Sequence, residues 1–143
     1  MVVIVGGIIV KDNKVLLVQE AKKKCYGKWN IPAGRLELNE SILSGAIREI
    51  KEETGCDVEL TGILNITSKK LENETLVMLT FMTRLLNENI TYNKNEILDV
   101  KWFDIDYVLT NMDNDLRDLE AIKKPIINYK ENNIGSINLV SEI

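Results

Sequence analysis

A mixed α/β fold, a sheet of several strands covered by helices on both faces, is the expectation for this 143-residue chain. Three features carry it. Runs of β-branched and aliphatic residues recur between residues 2 and 103. One strongly periodic helical stretch interrupts them near residues 39–54, and a second follows them near the C-terminus. The length suits one domain covering residues 1–143, and 45% hydrophobic with 28% charged residues is the composition of a chain that buries a core.

Taken in order, Val2 to Val10 and Val15 to Gln19 read as two strands, separated by the turn-forming cluster Lys11-Asp12-Asn13-Lys14 that closes a hairpin. The basic stretch Lys22-Lys23-Lys24 follows, then Trp29-Asn30-Ile31-Pro32-Ala33-Gly34, where Pro32 and Gly34 mark a constrained loop. From about Asn39 to Thr54 the pattern is helical, with Ile42, Leu43, Ala46, Ile47 and Ile50 on one side and Gly55 at the stop. Val58 to Ile66 and Thr75 to Leu86 are expected as strands, Asn87 to Asn95 as a loop, and Val100 to Phe103 as a short strand. Leu116 to Lys130 reads as a terminal helix that Pro125 should kink or interrupt. The last dozen residues carry no clear pattern, and there is neither an internal repeat nor a linker.

Composition excludes much chemistry. The chain has no histidine, so Ser-His-Asp triads, Cys-His pairs and His-based zinc or haem sites are ruled out. Catalysis must rest on carboxylates, lysine, tyrosine, cysteine or a metal held by oxygen. A net charge of −4 disfavours a nucleic-acid polyanion as partner. Cys25 and Cys56 form no CxxC pair and suit a reducing compartment. Met1 to Val10 lacks a basic leader and falls short of the roughly 20 residues needed to span a bilayer, so a soluble cytoplasmic protein without a membrane partner is expected.

The central helix concentrates acid. At about 100° per residue, Glu49, Glu52 and Glu53 fall within roughly 100° of one another, at the edge of the apolar stripe. Like charges at these spacings destabilise a helix, more so near a core. A divalent cation would turn the repulsion into attraction, and carboxylates are the ligands Mg²⁺ prefers when it bridges to substrate phosphates. The other reading of the spacing is a solvated acidic face, with Arg48 pairing to Glu52.

A longer pattern separates these readings. Gly34-Arg35-Leu36-Glu37-Leu38-Asn39-Glu40 continues to Arg48-Glu49-Ile50-Lys51-Glu52-Glu53-Thr54-Gly55-Cys56. This stretch resembles the Nudix box, GX5EX7REUXEEXGU with U a bulky aliphatic residue. Every fixed letter is present, and the one departure is Cys56 at the final U, where a buried thiol acts as a small hydrophobe. Trp29 to Gly34, the preceding hairpin and Trp102-Phe103 also sit where Nudix domains carry similar elements. The resemblance implies an α/β/α sandwich with a central mixed sheet and a catalytic loop-helix-loop at 34–56. It implies hydrolysis of a diphosphate linked to another group, with Mg²⁺ or Mn²⁺ as cofactor.

Carried over by position, Glu49, Glu52 and Glu53 become metal ligands with a main-chain carbonyl at Ala33 or Gly34 nearby. Arg48 orients a glutamate, and Glu40 supports the loop and the metal waters at the substrate side. The general base stays open among Glu52, Glu53 and Glu49, because a ligating carboxylate is a weak base and some Nudix enzymes take the base from a distant loop. Glu96 is the candidate outside the box, with Glu88 as its competitor. Lys22, Lys23, Lys24 and Arg35 are candidates to meet substrate phosphates, or else are solvated. Trp29 and Tyr26 offer faces for a nucleobase, with core packing the other role open to Trp29. Phe81 and Met82 alternate on a strand and face opposite layers.

Val15 to Lys22 followed by Cys25, Gly27, Trp29 and Pro32 to Glu37 resembles a Nudix branch acting on nucleoside diphosphates, including those of oxidised guanine. It is also similar to bacterial Nudix phosphatases acting on nucleoside di- and triphosphates and a thiamin-precursor pyrophosphate. The leading expectation is a nucleoside di- or triphosphate as small-molecule substrate, handled by a monomer or homodimer. ADP-ribose, a dinucleoside polyphosphate, and a non-catalytic nucleotide sensor are the rivals.

Overall fold

Asp12 and Asn13 both take positive φ, 51° and 60°. Asp and Asn tolerate that region better than other non-glycine residues, and two such residues make the tight turn that matches strand twist. They join β2 (Val10–Lys11) to β3 (Lys14–Glu20), so the hairpin lies where the sequence places it. Its first arm is different. The opening run divides at Ile9: β1 (Val2–Ile8) runs parallel to β7 (Thr75–Asn87) and antiparallel to β5 (Ala33–Arg35), and only β2 pairs with β3. One apolar run therefore serves two sheets, which its hydrophobicity alone cannot show.

The computed structural model describes residues 1–143. Its larger sheet is mixed, with strand order β5-β1-β7-β6-β9, where β6 is Asp57–Lys70 and β9 is Gly135–Ser136. In the smaller antiparallel sheet, β3 pairs on one side with β8 (Ile97–Asp104) and on the other with β2 and β4 (Trp29–Asn30). β6, β7 and β8 all outrun their apolar stretches. The added ends of β6 and β7, such as Ser68 to Lys70, are polar and exposed, so backbone pairing carries them where no burial pattern marks them, whereas β8 gains the buried Ile97.

The helices lie on both faces. Ala46 and Ile50 of α1 (Ile42–Thr54) pack with Val5, Leu16, Val58 and Phe81. On the opposite side α2 (Ile105–Asn111) and α3 (Leu119–Lys130) pack Val108, Ile122 and Ile126 against Ile8, Leu17, Leu64 and Met78. Phe81 is wholly buried on the α1 side, while Met82 packs on the α2 and α3 side, as alternation requires.

Two helix starts and one whole helix depart from the sequence reading. α1 starts at Ile42, not Asn39: Asn39 has φ 62°, and Ser41 caps the helix by accepting from Ser44 N–H at 3.2 Å. α3 starts at Leu119 behind the Asp118 cap and continues through Pro125 without interruption. α2 has no counterpart in the sequence reading. Seven residues with buried Ile105 and Val108 are too short to show a helical period, and the Asp104 cap on Tyr107 N–H is its only local signal. The unassigned C-terminal segment supplies β9 and one short 3-10 turn at Ile137–Leu139. No helix is long and apolar enough to cross a membrane.

Candidate active site

α1 is clamped at both ends, and that determines where its acidic edge points. Gly55 ends the helix with φ 81° and returns its N–H to the Lys51 carbonyl; a Cβ there would lie 2.0 Å from the Asn89 carbonyl oxygen. Only glycine meets both demands. At the other end the loop Arg35 to Glu40 folds over the first turns and is fastened by one side chain.

That side chain is Arg48. Its Nε and Nη2 grip both Glu40 oxygens, and Nη2 also donates to the Arg35 carbonyl at 3.1 Å. Nη1 donates to Glu49 at 2.8 Å and to Glu52 at 3.2 Å. The paired carboxylates push the guanidinium pKa up, and Arg48 together with the Glu37 N–H holds the Glu40 carboxyl down at about 2. Glu40 thus has both oxygens engaged within the loop and fastens it to α1.

Glu53 is the most enclosed of the acids on the helix, 9% exposed. It accepts the Ala33 N–H at 2.8 Å, which ties the helix edge to β5. Burial pushes its carboxyl up to about 8, and the nearby Glu20 and Glu49 charges add to the rise. Glu49 is also raised by burial, with Arg48 opposing. Its carboxylate lies against the Gly34 backbone so closely that a Cβ on Gly34 would come within 2.2 Å of it. Ala33, Gly34, Glu49 and Glu53 are therefore brought together, with the Glu52 carboxylate more exposed beside them.

These residues suit a hard divalent cation. Glu49 and Glu53 lie in a poorly solvated wall with proton affinity raised by burial, and Arg48, which also holds Glu40, pairs with Glu49 but not with Glu53. Oxygen donors with waters and a phosphate completing the shell are what Mg²⁺ or Mn²⁺ takes. The protein alone provides no closed cage of three converging acids.

The other expected residues separate into near and far. Glu96 accepts the Ala21 N–H at 3.1 Å through its backbone, so its loop lies against the end of β3, and its exposed side chain has no partner. Glu88 is held elsewhere, by Lys11 and by the Trp102 Nε1–H at 3.2 Å. Arg35 points outward while its carbonyl serves Arg48. Lys24 is exposed in the 3-10 turn Lys23–Cys25, and of the three lysines it is Lys22 whose charge bears on Glu53. Trp29 packs edge-on against Phe103, ring centroids 4.8 Å apart, which is the packing role. Tyr26 is exposed.

The sequence reading missed Glu20. It is 2% exposed at the end of β3, near Glu53, with one carboxylate oxygen that has no partner. Parity could not have found it: Val15 to Val18 are buried on both faces of β3, so alternation does not tell whether residue 20 lies inside.

Comparison with known proteins agrees with this geometry. A model of the NUDIX domain matches residues 2–124. The 8-oxo-dGDP phosphatase NUDT18 of Danio rerio is 36% identical over 102 residues, which are 71% of this chain and 31% of that protein. An ADP-ribose pyrophosphatase of Methanocaldococcus jannaschii is 39% identical over 66 residues, 46% of this chain and 39% of that one. The chain spans less than a third of several curated relatives, 15% for putative nudix hydrolase 1 of Caenorhabditis elegans. Among solved structures, a NUDIX hydrolase from Nitrosomonas europaea superposes with a TM-score of 0.87 at 26% identity, covering 99% of this chain and 96% of the other. With the family model covering all but the C-terminal fold elements, and the box helix and its loop assembled as one acidic edge, the chain belongs to the NUDIX domain family.

Proposed function

We propose that this chain hydrolyses the diphosphate linkage of nucleoside di- or triphosphates, 8-oxo-guanine nucleotides among them, in the presence of Mg²⁺ or Mn²⁺. The observation that carries the reading is the buried Glu53 carboxylate, tied to Ala33 N–H beside Glu49 and Gly34 on the acidic edge of α1. Glu49, Glu52 and Glu53 would hold that ion. When bound, it neutralises diphosphate oxygens and makes water easier to deprotonate. Arg48 keeps Glu49 and Glu52 aimed at the site and keeps the 35–40 loop closed on α1. Glu96 supplies a carboxylate outside the ligand set that can accept the proton of the attacking water. Water attack breaks one P–O–P bond and releases a nucleoside monophosphate with phosphate or pyrophosphate.

The nucleotide assignment is supported by the Danio rerio relative, whose name specifies 8-oxo-dGDP. ADP-ribose is the second reading, favoured by the name of the Methanocaldococcus jannaschii relative. Two unpaired cysteines and a net charge of −4 support a cytoplasmic, small-molecule setting without nucleic acid, for one domain acting as a monomer or homodimer. The test is a hydrolysis panel of normal and 8-oxo-guanine nucleoside di- and triphosphates, ADP-ribose and a dinucleoside polyphosphate, with orthophosphate and pyrophosphate scored separately. Orthophosphate from nucleoside diphosphates, lost in Glu53→Gln, is the expected result. Nucleotide binding with no turnover under either cation would make the domain a sensor instead.

A further inference from the structure

Two carboxylates are buried in this chain, Glu53 and Glu20, and only Glu53 belongs to the box. Glu20 is poorly served. Its Oε1 accepts from Asn30 Nδ2 at 3.3 Å and faces Arg117 Nη1 at 3.5 Å, while Oε2 is enclosed and accepts nothing. A buried carboxylate oxygen left without a donor or cation is strongly unfavourable, so its retention needs a reason.

The surroundings narrow that reason. Leu16, Val18 and Glu20 share one face of β3, and Leu16 lies in the cluster under α1 with Ala46 and Ile50. Glu20 extends that face to the strand end. Asn30, its hydrogen-bond partner, lies three residues before Ala33, whose N–H holds Glu53. Both buried acids thus abut the single segment Asn30 to Ala33. A substrate phosphate would be repelled there, and Arg117 is 40% exposed and reaches only the other oxygen.

We infer that Glu20 is a further carboxylate of the divalent-cation site formed by Glu49, Glu52 and Glu53, engaging the ion through Oε2 directly or through a water the ion retains. The inference rests on the cation-dependent reading proposed above. It gives the strand β3, and not only the box helix, a part in holding the ion.

Mn²⁺ binding to the intact chain without substrate, followed by electron paramagnetic resonance, tests it. Glu20→Gln is expected to weaken Mn²⁺ binding by about tenfold or more with an unchanged circular dichroism spectrum. Unchanged affinity in Glu20→Gln overturns the inference, and if Glu53→Gln loses the ion in the same series the cation-dependent reading still stands. No Mn²⁺ binding by the wild type would overturn both. Arg117→Ala keeps the carboxylate and removes its cationic neighbour, so binding at least as tight as wild type is expected. Weaker binding in Arg117→Ala would show that the Arg117 pairing is the whole role of Glu20 and would overturn the inference, which keeps it testable if Glu20→Gln fails to fold.

Discussion

Glu53 carries two opposed consequences of being buried. As a cation-facing carboxylate it is needed for turnover, so Glu53→Gln should lower activity by orders of magnitude while leaving the fold intact. As a buried acid with its carboxyl pushed up to about 8, it should make the chelator-treated protein less stable as pH rises. The sign follows from proton counts: above the ordinary carboxylate value of 4.5 the unfolded chain has released this proton, while the folded chain keeps it until about pH 8. Stability from this group is therefore full below pH 4.5 and lost through that window, at about 1.4 kcal/mol per pKa unit. Urea midpoints in EDTA at several pH values would show the decline, and Glu53→Gln should flatten it. Glu40 behaves in the opposite way. Its contribution is present above the ordinary carboxylate value and is lost as pH falls toward about 2. Arg48→Ala should reduce kcat by about 10- to 100-fold, because it releases Glu40, Glu49 and Glu52 together without touching substrate. Restoring Arg48 to lysine should recover little, since an ammonium cannot span both Glu40 oxygens and the Arg35 carbonyl.

At the scale of elements, α1 is held by its ends, and its ends can be tested separately from its chemistry. Ser41→Ala removes the acceptor for Ser44 N–H and should cost about 1 kcal/mol in a denaturation midpoint, with activity at saturating cation near wild type. Gly55→Ala combines a positive φ with a Cβ pressed on the Asn89 carbonyl, so its loss should exceed the roughly 1 kcal/mol typical of the first effect alone. Much of the fold at this scale was legible. Asp12-Asn13 announced the hairpin, Gly55 marked the end of the helix, and the alternation of Phe81 and Met82 assigned opposite faces. What escaped were α2, too short for a period, and the polar ends of β6 and β7, which exist because a neighbouring strand continues beside them.

For the whole molecule, a ligand that binds only the folded state should raise stability by about 2.7 kcal/mol at 100 times its Kd. Mg²⁺ or Mn²⁺ should therefore raise the melting temperature of the wild type, more at pH 8 than at pH 6, because the ion must displace the proton on Glu53. The same titration on Glu53→Gln should show little of this rise. The chemistry of the box was open to reading because its seven fixed residues occupy one contiguous stretch, and helical geometry alone brings Glu49, Glu52 and Glu53 to one edge. The partition of Val2 to Lys11 between two sheets, the packing of Trp29 on Phe103, and the arrival of Glu20 and Lys22 beside Glu53 belong to a different kind of information. They depend on which strand lies next to which and on where water is excluded. Those contacts join residues dozens of positions apart, and no local spacing encodes them.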